Sequence, residues 1–192
     1  MSSATRLLEL GVVTWVPALT HPELLAPATH ALITQWCATN PQVEQQILVC
    51  QIDPELSDTA VMSEHYAIPM FNSVNCVLVA GKREGNERTA AVAVRATTRA
   101  NINGAIKKML DVRKASFIPM DRAVAESGMQ YGGITPIGLP DSWRFVMDQG
   151  ALDGWIVIGS GIRESKIAIP GHLLAELTGA EVIADLGKEV SA

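Results

Sequence analysis

The stretch Tyr131-Gly132-Gly133-Ile134-Thr135-Pro136-Ile137-Gly138-Leu139-Pro140 holds three glycines and two prolines in ten positions. Glycine lets the backbone approach a ligand closely and adopt positive φ, and proline fixes the remaining geometry. Such a loop can therefore hold N–H groups rigidly toward an anion or an oxyanion. Ester hydrolysis needs this when no side-chain nucleophile is at hand. A plain Gly/Pro turn between strands is the competing interpretation.

Other chemistries are tested by spacing. Gly159-Ser160-Gly161 is not a GxSxG elbow, because position 158 is Ile, and not GxGxxG, because position 164 is Glu. Gly81-Lys82 is followed by Arg83 and has no Gly five positions before it, so a P-loop fails. His21, His30, His65 and His172 stand far apart, and Cys37, Cys50 and Cys76 form no CxxC. Neither a metal site nor a disulfide framework is indicated, and buried free thiols are expected. No cofactor is expected.

The formal net charge is -5 over 192 residues, but its distribution is uneven. Residues 82–114 carry nine Lys/Arg against three acids, a net of +6, while the segments on either side are acidic. Lys82, Arg83, Arg88, Arg95, Arg99, Lys107, Lys108, Arg113 and Lys114 could form a phosphate-facing surface, with Lys82, Arg83, Arg99, Lys107 and Lys108 the leading RNA contacts. Solvated strand and helix faces would give the same pattern. The 48% hydrophobic content suits one globular domain. Neither a secretory leader nor an 18-residue apolar run is evident, so a cytoplasmic protein with no membrane or DNA partner is expected.

These residues need elements to position them. Residues 1–46 read as helical, with LLELG closing one segment and Pro22 to Thr39 forming a longer one ended by Asn40-Pro41. QILVCQI, VNCVLVAG, RTAAVAVRAT, KASFIP, WRFVMD, GWIVIGSG and SKIAIP read as strands, and KREGNE as a hairpin turn. SDTAVMSEHY, NINGAIKKML capped by Asn101, DRAVAES and HLLAELTG closed by Gly179 read as helices. Tight hairpins mixed with short helices predict an α+β or mixed-sheet α/β domain, not a regular βαβ winding.

The loop GGITPIGLP, the later VIGSGIRESKIAI with LLAELTGA behind it, and the earlier SDTAVMSEHYAIPMFNSVNCVLVAGK together resemble the YbaK/prolyl-tRNA-synthetase-associated domain family, which includes aminoacyl-tRNA editing deacylases. The resemblance covers roughly residues 47–186, with three motifs in the family's order. It implies an α/β domain over 47–192 with a mixed, barrel-like sheet surrounded by helices; residues 1–46 are less readily matched and, from their helical pattern, are expected as an extension packed on the same domain. It also implies mischarged tRNA as substrate and partner, with an aminoacyl-tRNA synthetase as a further partner.

The resemblance assigns site residues. Gly132 begins a GxxxP pattern ending at Pro136, with Gly133 and Thr135 inside it, and this backbone is expected to line the ester. Gly159, Ser160 and Gly161 match a second small-residue loop beside the pocket. Asp58-Thr59-Ala60 matches a helix-start motif, which makes Thr59 a binding residue. Asn75 falls where many members carry Lys, a departure, because Asn offers donors and an acceptor but no charge. Asn75 can still hydrogen-bond substrate, can be compensated by another cation such as Lys166 near the GSG loop, or can mark lost activity; Lys166 opens the strand SKIAIP, where a solvated surface lysine is the commoner reading. Asn75, Gly132 and Gly133 are the expected catalytic set. A family fold that binds tRNA or an aminoacyl-adenosine-like ligand without turnover is the rival; an interaction module using the N-terminal helices is a third reading.

Overall fold

The computed structural model describes residues 8–189. It begins with β1 (Val16–Pro17), α1 (Pro27–Thr39), β2 (Leu48–Gln51) and α2 (Thr59–Tyr66). Then come β3 (Val74–Arg83), β4 (Asn86–Arg95), β5 (Thr98–Ala100), α3 (Lys107–Leu110), β6 (Ala115–Phe117) and α4 (Met120–Ser127). Beyond the glycine loop lie β7 (Arg144–Asp148), β8 (Trp155–Gly159), β9 (Ser165–Pro170), α5 (Gly171–Thr178), β10 (Glu181–Ile183) and β11 (Gly187–Glu189).

The valine-rich run from Val74 to Val79 suits a strand. Glu84-Gly85 then folds β3 back on β4 with φ of 53° and 83°, the pair of positive values that matches the twist of a two-residue hairpin. Pairing of Arg83 with Asn86 fixes the register and sets Asn75 opposite Val94. β4 is central in a five-stranded sheet ordered β10-β7-β4-β3-β6. Ala90, Val92 and Val94 pack with Ile106 and Leu110, while Ala91 on the other face packs with Leu78 and Ala123. The small alanines let both layers approach closely.

A second sheet is ordered β1-β2-β9-β8, and β11 pairs with β5. The two larger sheets are bridged at Ser73 with Val157 and share a core in which Val74, Ala93 and Met147 pack with Val49, Ile156 and Ile167. The fold is mixed α/β, but among the described residues no sheet closes into a barrel. A single bridged pair does not make a continuous ladder, so the barrel-like expectation is narrowed to open sheets that share a core without closing.

The N-terminal expectation is corrected too. Part of it, residues 1–7, lies outside the described residues, and Leu8 to Gly11 form no helix. Pro22 to Thr39 is not continuous: a short 3-10 turn ends at Leu24, and Leu25 and Ala26 are extended before α1. Pro27 explains the break, since a residue preceding proline is pushed out of the helical region. Asn101 does not cap with its side chain; its carbonyl instead accepts from Gly104 and Ile106 in a π-wound turn leading into α3.

Arg95 is only 4% exposed. It donates to the carbonyls of Phe71, Gly150 and Asp153 and stacks on the Phe71 ring at 3.9 Å. It therefore ties β4 to the turns at the bridge between the sheets and is removed from the phosphate-facing set. Arg95→Met strips three carbonyls of their donor, and chemical denaturation is expected to show a loss of at least about 2 kcal/mol.

Candidate functional site

A cleft of about 360 Å³ opens where the two sheets diverge from the Ser73–Val157 bridge. α2 contributes Thr59 and Met62, β3 contributes Asn75 to Val77, the glycine loop Gly132 and Ile134, β8 Val157 to Gly159, and β9 Lys166. α2 starts there because Asp58 accepts from the N–H groups of Ala60 (3.0 Å) and Val61 (3.4 Å), the usual N-cap arrangement.

Lys166 is the feature that the sequence underrated. β9 is buried at every position, so the lysine is only 6% exposed. Its ammonium donates to the carbonyl oxygens of Gly132 (3.0 Å) and Ser57 (3.2 Å). Two of its three N–H groups are thereby used, and the third has no protein acceptor among the described residues. Burial pulls its pKa down to about 8; Cys50 opposes this, Arg163 adds to it, and Asp58 opposes it.

Asn75 accepts from the Thr59 hydroxyl through Oδ1 at 2.9 Å. This fixes the amide and leaves the Nδ2 donors without a protein partner among the described residues. Gly132, at φ 82°, has its carbonyl held by Lys166 and its N–H unpartnered among the described residues. A β-carbon there would come within 3.0 Å of the Ser57 hydroxyl.

Gly133 does something other than expected. Its N–H donates to the Gln130 carbonyl (3.0 Å), and its own carbonyl accepts from Gly161 (2.7 Å). Gln130 in turn donates to the Gly161 carbonyl (2.9 Å), so the two glycine loops are zipped backbone to backbone. A β-carbon on Gly133 would lie 2.2 Å from the Ile162 carbonyl oxygen, and one on Gly159 would lie 2.3 Å from that of Gly133. Gly133 is thus a strut between loops, and its amide is spent before any substrate arrives.

Several other assigned residues sit behind the cleft. Thr135 and Pro136 are buried and line no part of it. The Ser160 hydroxyl is within 2.6 Å of the Ser165 hydroxyl, whose Oγ also donates to the Leu24 carbonyl (2.6 Å). Gly161 packs on Ala26. These residues shape the loops from behind, a role that small residue types signal as readily as a binding role.

The sequence reading missed Ser57 and Arg163. Arg163 lines the cleft and donates to the Pro54 carbonyl at 2.9 Å. Its place two residues after Gly161 was the available signal. Cys37 and Cys50 are buried, but Cys76 is half-buried and lines the cleft. Burial pushes the Cys76 thiol up to about 12, so it stays protonated at neutral pH.

The basic residues separate into groups. Arg99 lines a second cavity, about 860 Å³, which shares Asn75 and Val77 with the first. Arg83 and Arg88 are both paired with Asp111. Lys82 stands at the far end of β3, about 24 Å from Asn75 at strand rise, where it lines a separate cleft with Arg113 and Lys114. Lys107 and Lys108 belong to α3 and line none of these cavities.

A mixed α/β fold with a cleft framed by two interlocked glycine loops defines the class of protein. The chain belongs to the aminoacyl-tRNA editing domain family, whose match spans residues 53–177. No curated protein matches it significantly. Among solved structures, the hypothetical protein APE2540 superposes with a TM-score of 0.69 at 20% identity, over 82% of this chain and 99% of its own. A proposed trans-editing enzyme for prolyl-tRNA synthetase gives 0.67 at 16% identity, over 86% and 99%. At these identities the likeness is one of fold. No helix among the described residues is long and apolar enough to cross a membrane.

Gly159→Ala drives a β-carbon into the backbone of the opposite loop and is expected to cost roughly 1–3 kcal/mol, read as a lower thermal midpoint. An unchanged midpoint would mean that the loops are not locked together at Gly159.

Proposed function

We propose that the protein is a trans-acting aminoacyl-tRNA deacylase, hydrolysing the ester that joins a wrong amino acid to the terminal adenosine of a mischarged tRNA. One observation carries this reading. Gly132, whose N–H has no protein partner among the described residues, Lys166 and the Asn75 amide held by Thr59 line a single cleft.

An aminoacyl ester is already activated, so a positioned water can attack its carbonyl carbon, with the neighbouring ribose hydroxyl available to orient that water. The developing oxyanion then needs donors already in place. Gly132 N–H and Lys166 supply them, and Asn75 orients the ester or terminal phosphate through Nδ2. The carbon–oxygen bond to the ribose breaks, the water's oxygen stays on the acyl carbon of the released amino acid, and the proton that the water gives up passes to the departing ribose oxygen.

A covalent route has less support. The Cys76 thiol is held protonated by burial, and among the described residues no hydrogen bond joins the Ser57 hydroxyl to Lys166 or to a histidine. The resemblance places a lysine at position 75 in many relatives; here the positive charge enters from β9 instead. A pocket of this kind discriminates by volume, and one methylene is worth only about 1–3 kcal/mol. The family resemblance, and not the volume of the cleft, implies a small amino acid such as Ala, Ser, Thr or Cys.

A panel of mischarged tRNAs tests the reading, with hydrolysis of at least one expected. Lys166→Met, which keeps length and removes charge, should lower kcat/KM about 100-fold while the fold persists. Absence of hydrolysis on every tRNA, with RNA still bound, would replace the deacylase with a ligand-holding protein.

The depressed Lys166 pKa also sets two pH dependences. Enzymatic turnover, with background hydrolysis subtracted, should fall as pH rises through about 8 and the ammonium is lost. Stability has the opposite sign. The unfolded chain binds the extra proton between pH 8 and the ordinary lysine value of 10.5, so the wild type gains stability across that window relative to Lys166→Met.

A further inference from the structure

The second cavity is not used by the chemistry above. Beyond the Asn75 and Val77 that it shares with the cleft, its lining includes Arg99, Lys188, Asn101, Asn103 and Phe117. It contains no acidic residue, in a chain whose formal net charge is -5.

Its two cations are placed at a cost. β5 and β11 pair antiparallel with Lys188 directly opposite Arg99. Like charges across a strand pair destabilise a ladder. Neither side chain has an ion-pair partner among the described residues. An anion bridging the two would turn this repulsion into attraction.

Phe117 adds a second kind of interaction. It lies on edge strand β6 and is 58% exposed. An aromatic face beside paired cations is the composition of a single-stranded nucleic-acid groove, where phosphates meet the charges and a base stacks on the ring. Asn101 and Asn103 offer donors and acceptors at the same wall.

We propose that this cavity seats the single-stranded 3′ end of the RNA. Arg99 and Lys188 grip a phosphate, Phe117 stacks a base, and the strand passes Asn75 into the ester cleft. The direction of the strand rests on the deacylase reading, whereas the seat itself rests on the second cavity alone. Of the nine basic residues in the segment 82–114, only Arg99 then touches RNA at this seat, with Lys188 as a partner outside the segment.

The test uses the whole protein and a labelled single-stranded RNA ending in CCA, with affinity measured across a salt series. Phe117→Ala should weaken binding about tenfold. Arg99→Glu with Lys188→Glu should weaken it further and reduce the salt slope by roughly 0.7 for each phosphate that the protein no longer neutralises. The same charge reversal at Lys107 and Lys108, outside the cavity, should cost much less. Arg99→Thr alone should raise the thermal midpoint while weakening RNA binding, because it relieves the cross-strand repulsion.

Equal reductions in affinity from the α3 pair and the cavity pair would mean diffuse attraction and would overturn the proposal. So would unchanged affinity in the Arg99/Lys188 double variant with its fold intact. If no tRNA is deacylated but the binding pattern holds, the deacylase reading fails and the seat stands. If deacylation continues with binding unaltered in the double variant, the seat alone fails.

Discussion

An ammonium group in a fully buried strand is the constraint around which the cleft is organised. Withdrawing a cation from water costs several kcal/mol unless the protein supplies replacement partners. Lys166 finds them in the Gly132 and Ser57 carbonyls. One bond holds the glycine loop and the other holds the segment that leads into α2, so a single charge ties the loop, the helix start and β9 to one point. With its carbonyl pinned, Gly132 keeps an N–H free of protein partners among the described residues. Asp58 then does two things: it caps α2, and it opposes the loss of charge on Lys166.

The polypeptide ahead of β2 braces this arrangement from behind. Ala26 donates to the Ser160 carbonyl, Thr29 donates to the Ile137 carbonyl, and Ser165 reaches the Leu24 carbonyl. Gly138 and Gly161 leave room for that approach, since a β-carbon on either would meet Ala28 or Ala26 within 2.6 Å. Ile33 and Cys37 of α1 share a core with Leu174 and Leu177 of α5. Four glycines in or beside the cleft therefore answer to close packing: Gly133, Gly138, Gly159 and Gly161 hold one loop against another or against the segment that enters α1.

Much of the fold was legible because period and punctuation agreed. β3 and β4 were set by valine-rich runs around Glu84-Gly85, α2 by Asp58, and the end of α5 by Gly179 in the left-handed region. The site was legible in part. Asn75, Gly132, Gly159, Thr59 and Lys166 share one cleft, whereas Gly133, Thr135, Pro136, Ser160 and Gly161 serve the loops that frame it. Sequence cannot separate a glycine kept for a ligand from one kept for a neighbouring backbone, because both demand a missing β-carbon. Lys166 was hard to weigh for a related reason. A lysine opening a strand is ordinarily exposed, and only the burial of β9 from both sides makes it exceptional. The cross-strand meeting of Arg99 and Lys188 was out of reach, since the pairing of two three-residue strands far apart in the chain leaves no local signal.

The claim that matters most is that Lys166 is a buried ammonium coupled to Gly132. Nuclear magnetic resonance on protein with labelled lysine and glycine follows both groups through a pH titration. The account predicts a Lys166 midpoint near 8, with the Gly132 amide resonance moving through the same midpoint. A midpoint near the unperturbed lysine value of about 10.4, with Gly132 unaffected, would contradict it.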